Sequence, residues 1–219
     1  MKSSLMKKLV VGALGVIMAV SLVACGGSGS SSSSSSSKKD YGKITADTSK
    51  RTVTVYAKVN GTYFTQSTRH YVVFKGGSNG DKSVMTALGS EKDFYGAMIK
   101  IGGEPWDKMI PKKMGQKTGG QKVKVTVSWK GHKNVPAVKT LKTDKGTPKI
   151  DFRFSGNIKN AYKNNTGCIA CLDSCATGIV SNAAYGFGDI EGGKVKVMGN
   201  SKVLPKDGTI VKVTFALQD

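Results

Sequence analysis

The chain is poor in the residues that announce most chemistries. It has two histidines, four cysteines and 14 acidic residues among 219. No Gly-X-Y period, heptad seam or internal repeat runs through it, and its composition is not that of a multi-span membrane protein, so collagen, coiled coil and a membrane bundle are excluded. Gly76-Gly77-Ser78-Asn79-Gly80 is followed by no Lys-Ser/Thr at P-loop spacing and reads as a turn. No interleaved aromatic–basic platform of the single-strand-binding kind is present, which with an extracytoplasmic address argues against nucleic acid. No complete catalytic motif stands out. What is abundant is glycine, at 28 residues; with aromatics at only 7%, this predicts a loop-rich body.

The N-terminus reads as an address. Lys2, Lys7 and Lys8 precede an uncharged run of 16 residues, Leu9 to Ala24. A bilayer crossing needs about 20 apolar residues, so the run is short for a span and suits a secretory signal peptide over residues 1–24. It ends Leu22-Val23-Ala24-Cys25, which resembles the lipobox of bacterial lipoproteins; that resemblance makes Cys25 the lipidated mature N-terminus. No twin arginine appears, so export is expected by the general route, unfolded. Residues 25–40 hold the lipidated Cys and a Gly/Ser-rich tether with nothing to bury, spanning about 20 Å root-mean-square. The remaining domain, residues 41–219, is therefore expected to be extracytoplasmic and anchored to the cell membrane.

Charge suggests company for that domain. Residues 1–24 hold three lysines and no acid; removing them leaves 31 basic against 14 acidic residues, or +17. Lysines such as Lys122, Lys124, Lys194, Lys196 and Lys212 alternate with apolar residues, the pattern of a solvated strand face. A body this basic is also expected to associate with anionic wall polymers or lipid headgroups.

Period-two alternation marks the strands. Arg51 to Ala57, Tyr71 to Phe74, Lys122 to Trp129, Ile150/Phe152/Phe154, Val195/Val197 and Val211/Val213/Phe215 each present an apolar row. Ile44 to Asp47 is expected to pair with the first through a turn at Thr48-Ser49-Lys50, and Pro205 to Gly208 turns the chain into the last. One helix is clear, Ser90 to Ile101. Ser90 caps it, Asp93 follows three residues on, Gly102-Gly103 stops it, and Phe94, Ala97, Met98 and Ile101 form one stripe. The expected fold is α+β and β-rich: a mostly antiparallel sheet or sandwich with one helix against it.

Three cysteines lie within eight residues, Cys168-Ile-Ala-Cys171-Leu-Asp-Ser-Cys175. A structural disulfide there would close so short a loop that it adds only about 2–2.5 kcal/mol, and one thiol would be left over. Cys168-x-x-Cys171 is dithiol-oxidoreductase spacing, with Cys175 free to exchange, though without the expected βαβ context. The same pair opens a ferredoxin-type run, C-x2-C-x2-C-x3-C, that here lacks one cysteine: Ser174 stands where it would be. A single soft ion, Zn or Cu(I), suits three thiolates and survives export as an unfolded chain. Gly167-Cys168-Ile169 is similar to the G-C-I core of L,D-transpeptidases, but no His or Arg sits close to the Cys as that family needs.

Several segments together resemble the YdjY-type domain. They are His70-Tyr-Val-Val-Phe-Lys-Gly-Gly77, Phe94-Tyr-Gly-Ala-Met-Ile-Lys-Ile-Gly-Gly-Glu-Pro105, Val127-Ser-Trp129, Phe152-Arg-Phe-Ser-Gly156, Thr166-Gly-Cys-Ile-Ala-Cys-Leu-Asp-Ser-Cys175 and Val203-Leu-Pro-Lys-Asp-Gly208. The resemblance covers about residues 41–219, with the cysteine segment its most specific part. It implies one domain and a shared cysteine loop; members are often described as ferredoxin-like and have no established activity. It also makes His70 the better fourth ligand.

Other residues carry weaker signals. His132 falls in a turn, and a lone His is usually structural or solvated. Met85, Met98, Met109, Met114 and Met198 lack the clustering of a copper site and read as core or loop residues. Glu104 and Asp107 are explained by solvation at a helix end. Asp173, inside the cysteine segment, is placed to raise thiol pKa values or act as an oxygen ligand. The sequence thus predicts a redox or binding protein rather than a hydrolase or transferase. Cys168, Cys171 and Cys175, with His70, are expected to serve electron transfer with a redox partner, thiol exchange, an iron–sulfur cluster or a soft metal ion. The alternative is a non-enzymatic basic module for anionic envelope polymers, with a structural disulfide.

Overall fold

Alternation builds most of the strands where it predicts them. In the computed structural model, which describes residues 40–219, these residues form one unit. The expected signal peptide, Cys25 and the expected Ser-rich tether lie outside the described residues. Strand β1 (Thr45–Asp47) turns into β2 (Thr52–Val59), pairing antiparallel as expected. Then come β3 (His70–Phe74), β4 (Ser83–Ala87), helix α1 (Glu91–Lys100), β5 (Val123–Trp129), β6 (His132–Pro136), β7 (Leu141–Thr143) and β8 (Phe152–Phe154). Helix α2 (Ile158–Lys163), β9 (Cys168–Cys171), β10 (Val180–Asn182), β11 (Val197–Gly199) and β12 (Ile210–Leu217) complete the order.

One large sheet runs β6-β5-β12-β2-β4-β3-β9-β10-β8, with β1 added beside β2; β11 and β7 make a small second sheet. Pairing is antiparallel except at β3/β4 and β9/β10, so the sheet is mixed but mostly antiparallel. Val53, Val55, Ala57 and Val59 of β2, Val211, Val213, Phe215 and Leu217 of β12, and Val123, Val125 and Val127 of β5 all face the core. The helix lies where its cap places it. Ser90 Oγ accepts from the Asp93 amide at 3.1 Å, and Gly102 takes φ +83° just past the end, a value Gly adopts without cost. Its Phe94 meets Phe215 edge-to-face at 4.7 Å, a pair worth about 0.5–1.5 kcal/mol beyond burial.

Three expectations need correction. A second, six-residue helix, α2, was not foreseen. His132 is not in the turn but opens β6, the turn lying at Lys130-Gly131. The cysteine segment is not wholly a loop: Cys168 to Cys171 form β9, a strand inside the sheet buried along its length. A short apolar run bounded by turns is what a doubly covered strand looks like. The start of β9 is fixed by a close approach, since a Cβ on Gly77 would stand 2.5 Å from Gly167 Cα, and Gly167 itself takes φ +71°. Two glycines back to back therefore hold the β3–β4 connection against the residue before Cys168.

Candidate functional site

The sheet brings together what the sequence keeps about a hundred residues apart. In the β3/β9 ladder His70 stands opposite Cys171 and Val73 opposite Cys168, with register shifts on either side of Val72. In a regular strand residues three apart point to opposite faces; the broken register accompanies two such residues reaching one place. One ligand atom from each of His70, Cys168 and Cys171 lies within 4.8 Å of the others. Cys168 Sγ is 3.7 Å from His70 Nδ1. Cys175, four residues past β9, turns back to pack against Cys168 and Cys171. With Val73 the three cysteines form a buried cluster of their own.

All three cysteines are free, so the expected disulfide is not found. Cys168 and Cys171 are fully buried and Cys175 is 5% exposed. The three thiols are held apart in acidity by one another. Hydrogen bonds from Cys168 and Cys171 hold the Cys175 thiol well below its ordinary pKa, helped against burial by the Arg69 charge and by Thr177, whose Oγ1 lies 3.3 Å from Sγ. Cys171 is pushed well above its usual value by its hydrogen bonds to Cys168 and Cys175 and by burial. At Cys168 the Cys171 hydrogen bond pulls down, but the Cys175 hydrogen bond and burial outweigh it and lift the thiol to about 12. Burial lowers His70 to about 4, the nearby Cys175 opposing and the Arg69 and Lys82 charges assisting, so the imidazole is neutral at pH 7 with a lone pair to give.

The surroundings were only partly legible. Arg69, missed in the sequence although it adjoins His70, lies beside the cluster. Its Nη2 and Nε donate to Asp173 Oδ1 at 3.0 and 3.2 Å, its Nη1 donates to Glu191 at 2.6 Å, and its guanidinium lies 5.0 Å over the Phe187 ring. Asp173 is thus the counter-ion of Arg69 rather than an oxygen ligand, and burial lifts its carboxyl to about 7 against that pairing. Asn79 Nδ2 donates to Cys168 Sγ at 3.8 Å, and Asn157 Nδ2 donates to the Cys175 and Gly178 carbonyls at 3.0 and 3.1 Å, fixing the loop that carries Cys175. Nothing in the local sequence marks Asn79 or Asn157, whose partners lie 89 and 18 residues away.

The remaining sequence candidates lie elsewhere. His132 is exposed and stacks on Trp129 at 4.6 Å. Met85 and Met98 are core, whereas Met114 is 67% exposed. Glu104 and Asp107 are exposed, and their backbone amides are held by Gln121 and Ser155.

A β-rich mixed-sheet domain with three cysteines and one histidine converging in its interior is the class this arrangement defines. The chain belongs to the YdjY domain family, which it matches over residues 44–216. It is also similar to the protein named "Uncharacterized protein YdjY" of Escherichia coli (strain K12), at 40% identity over 178 residues, covering 80% of this chain and 79% of that one. No solved structure matches.

Proposed function

We propose that this domain is a soft-metal protein in which His70, Cys168, Cys171 and Cys175 hold one thiophilic ion such as Zn2+ or Cu(I). The observation that carries the reading is that the half-buried His70 and the buried Cys168 and Cys171 bring their ligand atoms within 4.8 Å of one another, with the free thiol of Cys175 in the same sulfur cluster. With Zn–S about 2.3 Å and Zn–N about 2.0 Å, tetrahedral angles put a ligand nitrogen about 3.6 Å from a sulfur. The 3.7 Å between Cys168 Sγ and His70 Nδ1 fits that edge. A four-iron cluster spreads its thiolates over separate irons and so needs them farther apart. Disulfide exchange with a partner needs an accessible sulfur, which this burial does not offer. Ion binding would release the protons still held by Cys168 and Cys171, and Arg69 would offset the negative charge of three thiolates.

Metal analysis tests this on the chain purified without oxygen after Cys25→Ala removes the anchor site. One ion per chain is expected, with intense thiolate-to-metal bands after Co2+ replacement, and Cys168→Ser or Cys171→Ser should cut affinity by at least tenfold. A brown protein that bleaches on reduction would establish an iron–sulfur cluster and electron transfer instead. No retained ion, with two sulfurs locked in a bridge, would end the metal reading.

The +17 charge of residues 25–219 favours a second property: association with anionic envelope polymers, outside the cytoplasm and anchored through lipidated Cys25. Binding to such a polymer should weaken steeply with salt and survive loss of all three loop cysteines. Palmitate labelling that is lost in Cys25→Ala tests the anchor.

A further inference from the structure

Above the metal-ligand cluster the surface is hollowed. A depression of about 390 Å³ is lined by His70 and Arg69 together with Tyr63, Lys82, Glu191 and Lys196, but by none of the three cysteines. His70 is thus the one member of the cluster that reaches both the sulfurs and the surface. The walls are unequal in charge, with Arg69, Lys82 and Lys196 against Glu191 alone. Arg69 is already matched by Asp173 below and Glu191 beside it. The two lysines are exposed, so they set the field that an approaching solute meets.

We propose that this depression is the doorway through which the ion is exchanged, with His70 as the ligand that lets go and Lys82 and Lys196 attracting a small anionic chelate. The inference rests on the soft-metal reading and adds a direction of traffic and a carrier chemistry: polycarboxylate or thiolate complexes rather than the free cation, which these lysines would repel. The step is a ligand exchange without electron transfer. One donor atom of the carrier bonds the ion as the His70 nitrogen–metal bond breaks; the thiolates follow, and their protons come from solvent. Loading is the reverse, with the carrier leaving as its free anion. Burial of the sulfurs permits no comparable approach from their own side, since each is at most 5% exposed.

Full-length chain loaded with Zn2+ alone gives the test. Ion removal is followed with an anionic chelator, EDTA, and a neutral one, 1,10-phenanthroline, at low and high salt. In Lys82→Glu/Lys196→Glu, removal by EDTA should slow about tenfold at low salt, the difference closing at high salt, while removal by phenanthroline stays unchanged. Lys82 Nζ also touches Asn79 at 3.5 Å, and Asn79 donates to Cys168, so Lys196→Glu alone serves as the clean variant and should slow EDTA in the same sense. His70→Ala should keep one ion per chain but release it faster to both chelators. Equal slowing with both, no slowing of EDTA, or release from His70→Ala at the wild-type rate would each overturn the doorway while leaving the metal centre standing. Failure of the wild-type chain to retain Zn2+ would overturn both, and it is seen before any rate is measured.

Discussion

The two ends of the large sheet are built by different rules. On one side β5, β12 and β2 are long and antiparallel, and their registers with one another run unbroken: β12 pairs with β2 from Ile210 to Ala216 and with β5 from Lys212 to Leu217. Each has a dry face and a wet face. On the other side β3, β9, β10 and β8 are short and pair in both senses, the β3/β9 register shifts twice, and β9 and β10 are buried on every residue. The regular side is built of long continuous ladders; the irregular side gathers the three cysteines and His70. Broken register is what lets side chains leave strict alternation and converge, so a site of this kind belongs where the ladder is least ideal.

The comparison is sharpened most by breaking the regular side. Phe215 is fully buried and meets Phe94 across the sheet–helix contact. Phe215→Ala should cost about 3–5 kcal/mol by lost burial and the cavity left behind. Denaturant unfolding measures the loss, and the fraction still folded should show the same Zn2+ affinity as the wild-type chain. Weakened Zn2+ affinity in the folded fraction of Phe215→Ala would mean that the two sides are not separable.

Next in size is the buried pair on the irregular side. Arg69 is the counter-ion of the fully buried Asp173. Above pH 7, where Asp173 is ionised, Arg69→Ala leaves that carboxylate uncompensated and should cost about 3 kcal/mol. Much of this should return in Arg69→Ala/Asp173→Asn, because the unpaired charge is then gone. A double-mutant cycle from unfolding curves checks it; no recovery would mean that Arg69 acts through its contacts with Phe187 and Glu191 instead.

The same contrast explains what could be read from sequence. Period two and the Ser90 cap place β2, β5, β12 and α1 because each makes one face wet and one dry, and that is written locally. The sulfur cluster was legible as a group, since Cys168, Cys171 and Cys175 are neighbours in the chain. His70 as their companion came only through family resemblance. Strand β9 was not legible, because Cys-Ile-Ala-Cys has no polar face to betray its period. The nearness of Asp173 to the thiols is legible locally, but its ion pair with Arg69 is not, because that partner lies 104 residues earlier, joined to it only by the β3/β9 pairing.

The smallest expected effect is also the most diagnostic, and it concerns pH in the ion-free protein. His70 is lowered from 6.5 to about 4, so between those values the unfolded chain binds the extra proton and stability falls as the pH drops. Allowing for the ring's partial exposure this amounts to about 2 kcal/mol. Asp173 acts in the opposite sense. Its carboxyl is raised from 3.8 to about 7, so across that range the folded chain holds the proton and stability falls as the pH rises. The two slopes oppose each other in the wild-type protein, both arising in the irregular half, where burial outweighs neighbouring charge. His70 faces Cys175, Arg69, Lys82 and Glu191, and Asp173 faces Arg69 and Cys175. Unfolding free energies between pH 4 and 7 should therefore change little for wild type, decline with rising pH in His70→Gln, and climb with rising pH in Asp173→Asn. Parallel profiles for all three would show that neither group titrates differently on folding, and the contrast between the two halves would then rest on geometry alone.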